Sequence, residues 1–291
     1  MGFFRRTVIC GLMVGFMPGA IAFAEQLVPV RADYTFSKDS DGVVSHTYSI
    51  RTNEDEAAWN FSTYHTQLLQ SGQELSENTF LTKWRKDTAA GAVSAWLGYV
   101  DNRIRSEAFG AIMYDFPVGR ADHMWVSYGT EPVDTVLAHR GGIDKHTASV
   151  SYLCKLDRNV DAVFSSEISN YTDNNEQKKY GVVLEKQISN YLKTGLHYVS
   201  NKADHPSSPI YYVPTNENVL SARGEWVIPF DKGRFSLVGE HYIDGRTNGV
   251  QTQRKNIDVS LSIGQFTLGE KYDRDVGYNS RSTYFRWDAQ F

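Results

Sequence analysis

The chain has 291 residues, 22% of them charged and 13% aromatic, with a formal net charge of −4 that becomes −6 once Arg5 and Arg6 leave with the leader described below. That acidity argues against a nucleic-acid partner, and two cysteines, Cys10 and Cys154, cannot build a disulfide framework. Beyond the leader no run approaches the ~18 consecutive apolar residues of a membrane helix; a mean hydropathy of −0.42 suits a soluble protein, or a chain in which only alternate residues meet lipid.

Arg5 and Arg6 precede an apolar run from Val8 to Phe23, and Ala22-Phe23-Ala24 places small residues before Glu25. This reads as a secretory signal over residues 1–24, leaving 25–291 as one mature domain. Ile9 stands before Cys10 where a lipoprotein signal needs a small residue, so lipid attachment is not expected. The mature chain then keeps the single thiol of Cys154, and no internal disulfide is expected.

From Leu27 onward apolar and polar residues alternate with the period of two that marks strands. The first predicted strand, Leu27 to Phe36, sets Val28, Val30, Ala32, Tyr34 and Phe36 against Arg31, Asp33 and Thr35; Val43 to Thr52 returns after a turn. Ala57 to Gln67 reads as a strand through Trp59 and Phe61, although Tyr64, Leu68 and Leu69 would also suit a short helix. Asn78 to Arg85, Ala92 to Val100, Ile104 to Phe116 and a strand through Met124, Val126 and Tyr128 follow. Glu131 to Lys145, with Pro132, Gly141 and Gly142, reads as loop with room for a short extra strand at Thr135 to His139. Further strands are expected over 146–154, 160–168, 179–187, 192–199, 219–228, 235–243, 257–263, 266–272 and 281–291.

Short and long connections take turns along this series. The tight ones, at Pro117 to Gly119, Leu156 to Asn159, Ser189-Asn190, Pro229 to Gly233 and Gly264, all fall on one side, whereas Ser200 to Asn218 and Asp244 to Gln251 fall on the other. Outer-membrane barrels require that alternation, with short periplasmic turns and longer outer loops; Greek-key sandwiches do not. The count gives a closed antiparallel all-β transmembrane barrel of about sixteen strands, with fourteen as the alternative. Closure is demanded because an open edge in lipid leaves backbone groups unpaired.

The last stretch, Arg281 to Phe291, puts Thr283, Phe285, Trp287, Ala289 and Phe291 on one face and Tyr284, Arg286, Asp288 and Gln290 on the other. It resembles the C-terminal strand of bacterial outer-membrane β-barrels. That resemblance implies that Phe285, Trp287 and Phe291 form an assembly signal for the barrel-assembly machinery, and that outer-membrane lipid surrounds the chain.

The lumen phase of the last strands gathers Arg223, Glu225, Glu240, Asp258, Lys271, Asp273, Arg286 and Asp288. Charges are costly in hydrocarbon, so the alternation turns them toward water, either as a wall that guides a solute or as a salt-bridge lattice that closes the interior. Hydrolytic sets fare poorly. His146 and Ser149 point to opposite faces, His123 and Ser127 lie ~13 Å apart along one strand, and His197 and Glu240 sit on separate strands with another between them. No metal-ligand spacing and no glycine-rich nucleotide loop is found, so neither an enzyme nor a cofactor is expected.

Ile210-Tyr211-Tyr212-Val213-Pro214, a polar run and then an alternating strand resemble the barrel part of exopolysaccharide export porins, those for cellulose and poly-N-acetylglucosamine. The likeness extends loosely from Tyr211 to Phe291 and departs in one respect: no helical-repeat domain precedes the first strand. It implies a polysaccharide or a periplasmic export partner. The expectation is an outer-membrane pore for polar solutes, with saccharide among the candidates and Tyr211, Tyr212 and Tyr278 as ring-stacking residues. A non-conducting structural or adhesion barrel is the alternative.

Overall fold

A computed structural model describes residues 29–39, 44–52, 59–70, 73–119, 121–133, 136–205, 215–248, 250–251, 255–275 and 278–290. The predicted leader and Phe291 lie outside the described residues. Sixteen long strands account for most of the rest: β1 (Pro29–Asp39), β2 (Val44–Thr52), β3 (Trp59–Gln70), β4 (Gln73–Thr88), β5 (Gly91–Asn102), β6 (Ser106–Val118), β7 (Asp122–Pro132), β8 (Asp144–Asp157), β9 (Val160–Tyr171), β10 (Glu176–Ser189), β11 (Leu192–Ala203), β12 (Asn216–Phe230), β13 (Gly233–Thr247), β14 (Lys255–Ile263), β15 (Phe266–Asp275) and β16 (Tyr278–Gln290). A two-residue piece, Val250–Gln251, folds back on the end of β13 and adds no wall of its own. Each strand pairs antiparallel with its sequence neighbours, and β1 closes on β16 from Pro29 opposite Gln290 to Asp39 opposite Ser280. The sheet therefore has no free edge, which is what lets a strand structure stand in lipid.

Alternation decides which face looks out. Ile50, Phe61, Leu97, Ile112, Val126, Leu184, Leu196, Leu261 and Leu268 are exposed large hydrophobics on one face, whereas Ser49, Ser94, Ser169 and Ser221 are buried on the other. Water would penalise that outward belt, and lipid does not. Aromatics mark its two rims: Trp59, Trp84, Trp226 and Phe266 toward the end where β1 begins and β16 finishes, the terminal end, and Tyr99, Tyr128, Tyr180, Tyr198 and Tyr272 toward the far end.

The tight turns and long loops named from the sequence fall at the ends expected, but the alternation is not strict: the two-residue links 71–72 and 276–277 lie at the far end and the six-residue link 53–58 at the terminal end. At the terminal end β4–β5, β8–β9, β10–β11, β12–β13 and β14–β15 are joined by two residues each, and β6–β7 by three. Gly264 (φ 56°) and Gly119 (φ 81°) take left-handed backbone in two of these turns, a conformation costly for a side chain with a Cβ. Longer links, including 133–143 and 204–215, sit at the far end. One expectation fails: the segment offered as an extra strand at Thr135 to His139 contains a helical turn, α1 (Val136–Gly141). A strand there would have no partner, because β7 and β8 already pair with each other from His123 opposite Leu153 to Pro132 opposite Asp144.

Candidate functional site

Among the described residues only eight hydrophobic residues are buried, and their one cluster, Ala138, Ile143 and Tyr171, lies at the far end. The interior wall between the ends is instead lined by serines, threonines and charges. Asp33 is a hub on β1: it accepts from Arg286 Nε at 2.7 Å and from Ser49 Oγ at 3.4 Å, and Arg51 Nη2 stands 3.1 Å away. Arg31 pairs with Asp288 beside it. These contacts join β16, β1 and β2 side by side, so they brace the wall rather than bridge the interior.

The other lumen candidates lie on the same face. Arg223 stands opposite Glu240, Glu225 opposite Lys193, and Asp258 opposite Lys271. Asp258 accepts from the Tyr284 hydroxyl at 2.9 Å, and Asp273 is buried near the far end. The pairing of Arg223 and Glu225 with Arg286 and Asp288, weighed for a closed interior, does not form: Arg286 and Asp288 pair with Asp33 and Arg31, and Arg223 and Glu225 stand four strands away. Tyr211 and Tyr212 lie outside the described residues, and Tyr278 opens β16 opposite Asp275. Phe285 and Trp287 stand on the outward face, cross-strand from Leu268 and Phe266.

Two features escaped the sequence. The first is His197 on β11 and Glu240 on β13, set aside because β12 runs between them. His197 Nδ1 lies 3.6 Å from Glu240 Oε1, with Nε2 4.0 Å from Glu185, and Ser221 on β12 donates to Glu240 at 2.5 Å. In a hydrolytic set the serine would donate to the imidazole; here its hydroxyl is committed to the carboxylate and the residue is 2% exposed. The cluster is a polar knot in the wall.

The second feature is the mouth. The link from β7 to β8 dips across the far opening, so that α1 touches opposite sides of it. The side chain of His139, 1% exposed, stands 3.2 Å from Glu77 Oε2 on β4. The geometry is off the line a hydrogen bond needs, so the contact is an ion pair only when the ring carries a proton. On the other side Ala138 and Ile143 pack against Tyr171 of β9, with Ala203 of β11 alongside. Arg105 Nη2 anchors the exit of the link through Asp144 at 2.6 Å and also pairs with Glu107. The missed signal was local: Val136 to Arg140 carries helix-tolerant residues and Gly141-Gly142 is a stop.

The sequence matches no protein-family model and no curated protein. Solved structures share the fold. A bacterial polysaccharide outer membrane secretin superposes with a TM-score of 0.68 at 10% identity, covering 91% of this chain and 98% of that one. OccK11 (OpdR) of Pseudomonas aeruginosa gives 0.52 at 11% identity over 91% and 96%, and CdiB from Acinetobacter baumannii 0.60 at 9% identity over 91% and 60%. The architecture is thus that of outer-membrane β-barrels.

Proposed function

We propose that the chain, freed of residues 1–24, is an outer-membrane pore for polar solutes, with saccharides as its substrate class. The observation that carries this reading is the interior: a polar wall of both charge signs with, among the described residues, no apolar core between the ends. A sixteen-stranded barrel is wide enough to hold an aqueous channel. Orientation follows from the turns: the terminal end faces the periplasm and the long links face outward. Fold likeness to a polysaccharide secretin adds support for a saccharide, and the export partner and lipid setting expected from the sequence belong to the same reading.

Conductance in a planar bilayer tests it. An open pore passes ions, and neutralising Glu225, Glu240 and Asp258 together lowers its cation preference, because lumen carboxylates raise the local cation concentration. Conductance with unchanged selectivity would show that these three do not line the path. The competing reading, a non-conducting envelope barrel, is favoured by α1 in the mouth. Folded protein that stays silent even after α1 is removed would establish it.

A further inference from the structure

Charge is spread unevenly around the outward face of the far rim. Tyr272 marks the rim on β15; Arg281 of β16 stands opposite it, and Lys38 of β1 stands opposite Arg281. One outward step past Tyr272, Arg274 is cross-strand from Lys255 of β14. Because the strands lean, a row of opposite residues climbs: the row that leaves the terminal end at Phe235 of β13 reaches the far end at Asp101 of β5. At ~40° of tilt the climb is ~3 Å per strand, and a step of two residues along a strand gains ~5 Å, so all four cations lie within a few ångström beyond Tyr272. They occupy four adjacent strands and all are exposed.

Among the described residues two acids share this side of the rim. Glu270 lies one step inside it and pairs with Arg281, and Asp244 stands near the end of β13 with the outward Arg246 two residues on. Other walls differ in balance. Glu74 and Asp101 stand outward on β4 and β5, and on β10 and β11 Lys178 and Lys202 are joined by Glu176, 2.6 Å from Lys178 Nζ. Toward mid-membrane from the four cations the same wall presents Ile257, Leu261, Leu268 and Phe285, all exposed. The surface is thus cationic at headgroup height and apolar below it, the complement of an anionic amphiphile.

We propose that this wall binds a glycolipid bearing two phosphates, with its headgroup on Lys38, Lys255, Arg274 and Arg281 and its acyl chains along Ile257, Leu268 and Phe285. The cations span three strand spacings, about 14 Å, more than a single phosphate covers. Arginine takes phosphate oxygens in a fork and lysine holds them as a point charge. Tyr272, flanked by Arg274 and Arg281, sits at headgroup level and offers a ring face to a sugar. The inference rests on the orientation proposed above, which sets the far rim in the outer leaflet; it does not depend on what passes through the lumen.

The test uses the full chain, purified folded in detergent, and measures by native mass spectrometry the binding of lipid A carrying two phosphates, one or none, and of cardiolipin, a glycerophospholipid with two. The bisphosphorylated glycolipid should bind most tightly, and excess inorganic phosphate should not displace it. Lys255→Gln with Arg274→Gln should weaken binding about 25-fold, at roughly fivefold per cation, whereas Lys178→Gln with Lys202→Gln on β10 and β11 should leave it unchanged. Heat-dependent gel migration verifies that each variant is folded. The proposal is overturned if affinity ignores the number of phosphates, if the two double variants behave alike, if inorganic phosphate displaces the lipid, or if cardiolipin binds as tightly. Because binding is read in detergent and without conductance, its failure and the failure of the pore reading are separate results.

Discussion

Glycine and aromatic residues on adjacent strands act as fitted pairs in the lumen wall. Gly269 of β15 stands opposite Tyr284 of β16, and a Cβ built on Gly269 would lie 2.1 Å from the tyrosine ring; Gly98 and Phe109 repeat the arrangement at 2.2 Å. A ring laid over a glycine covers backbone that would otherwise face water and fixes where the ring's polar end arrives. Gly269→Ala should therefore displace Tyr284 and break its 2.9 Å hydrogen bond to Asp258, costing roughly 1–2 kcal/mol. The measurement is the temperature at which the compact gel band is lost; an unchanged temperature would mean that the ring moves aside freely. Asp33→Asn should cost more, about 2–3 kcal/mol, because it leaves both Arg51 and Arg286 without their counter-charge in a partly buried site. The charges themselves were legible because alternation alone fixes the face. Their partners were not: His197 and Glu240 sit on strands ~9.6 Å apart, two sheet spacings, and only side-chain reach across β12 joins them.

At the scale of elements, strands with clear alternation were read within a few residues, as with Val160–Tyr171 and Phe266–Asp275. β4 was read too short, starting at Asn78 instead of Gln73, since Gln73-Glu74-Leu75-Ser76-Glu77 carries only one apolar residue. Its polar start is what places Glu77 at the mouth to meet His139. α1 was misread because six residues are too few for either period to declare itself, and its stability is tertiary. Contacts of His139 with Glu77 and Asn102 and one small apolar cluster hold it in the opening. Removing 136–141, or combining His139→Ala with Glu77→Gln, should raise single-channel conductance and let larger oligosaccharides pass in a liposome-swelling assay. Equal conductance in all three proteins would mean that α1 does not narrow the path.

The whole molecule was the most legible level, because closure, parity and the lipid-facing belt are collective properties that survive local misreadings. Ambiguity at Ala57 to Gln67 did not alter the count: a helix there would have left the two flanking walls unjoined, and β3 pairs with both β2 and β4. Parity also makes orientation testable. With Pro29 and Gln290 at one end and the link between Ala203 and Asn216 at the other, the membrane separates that link from the two-residue turn between Phe230 and Gly233 by the full height of β12. Protease added to whole cells should cut within 204–215 and spare the turn, yielding two fragments that stay together until denatured, since the wall pairing of β11 with β12 is untouched. An epitope inserted in 204–215 should bind antibody on intact cells, whereas one placed between Asp231 and Lys232 should bind only after the outer membrane is opened. The reverse pattern would invert the barrel in the membrane and turn the α1 mouth toward the periplasm.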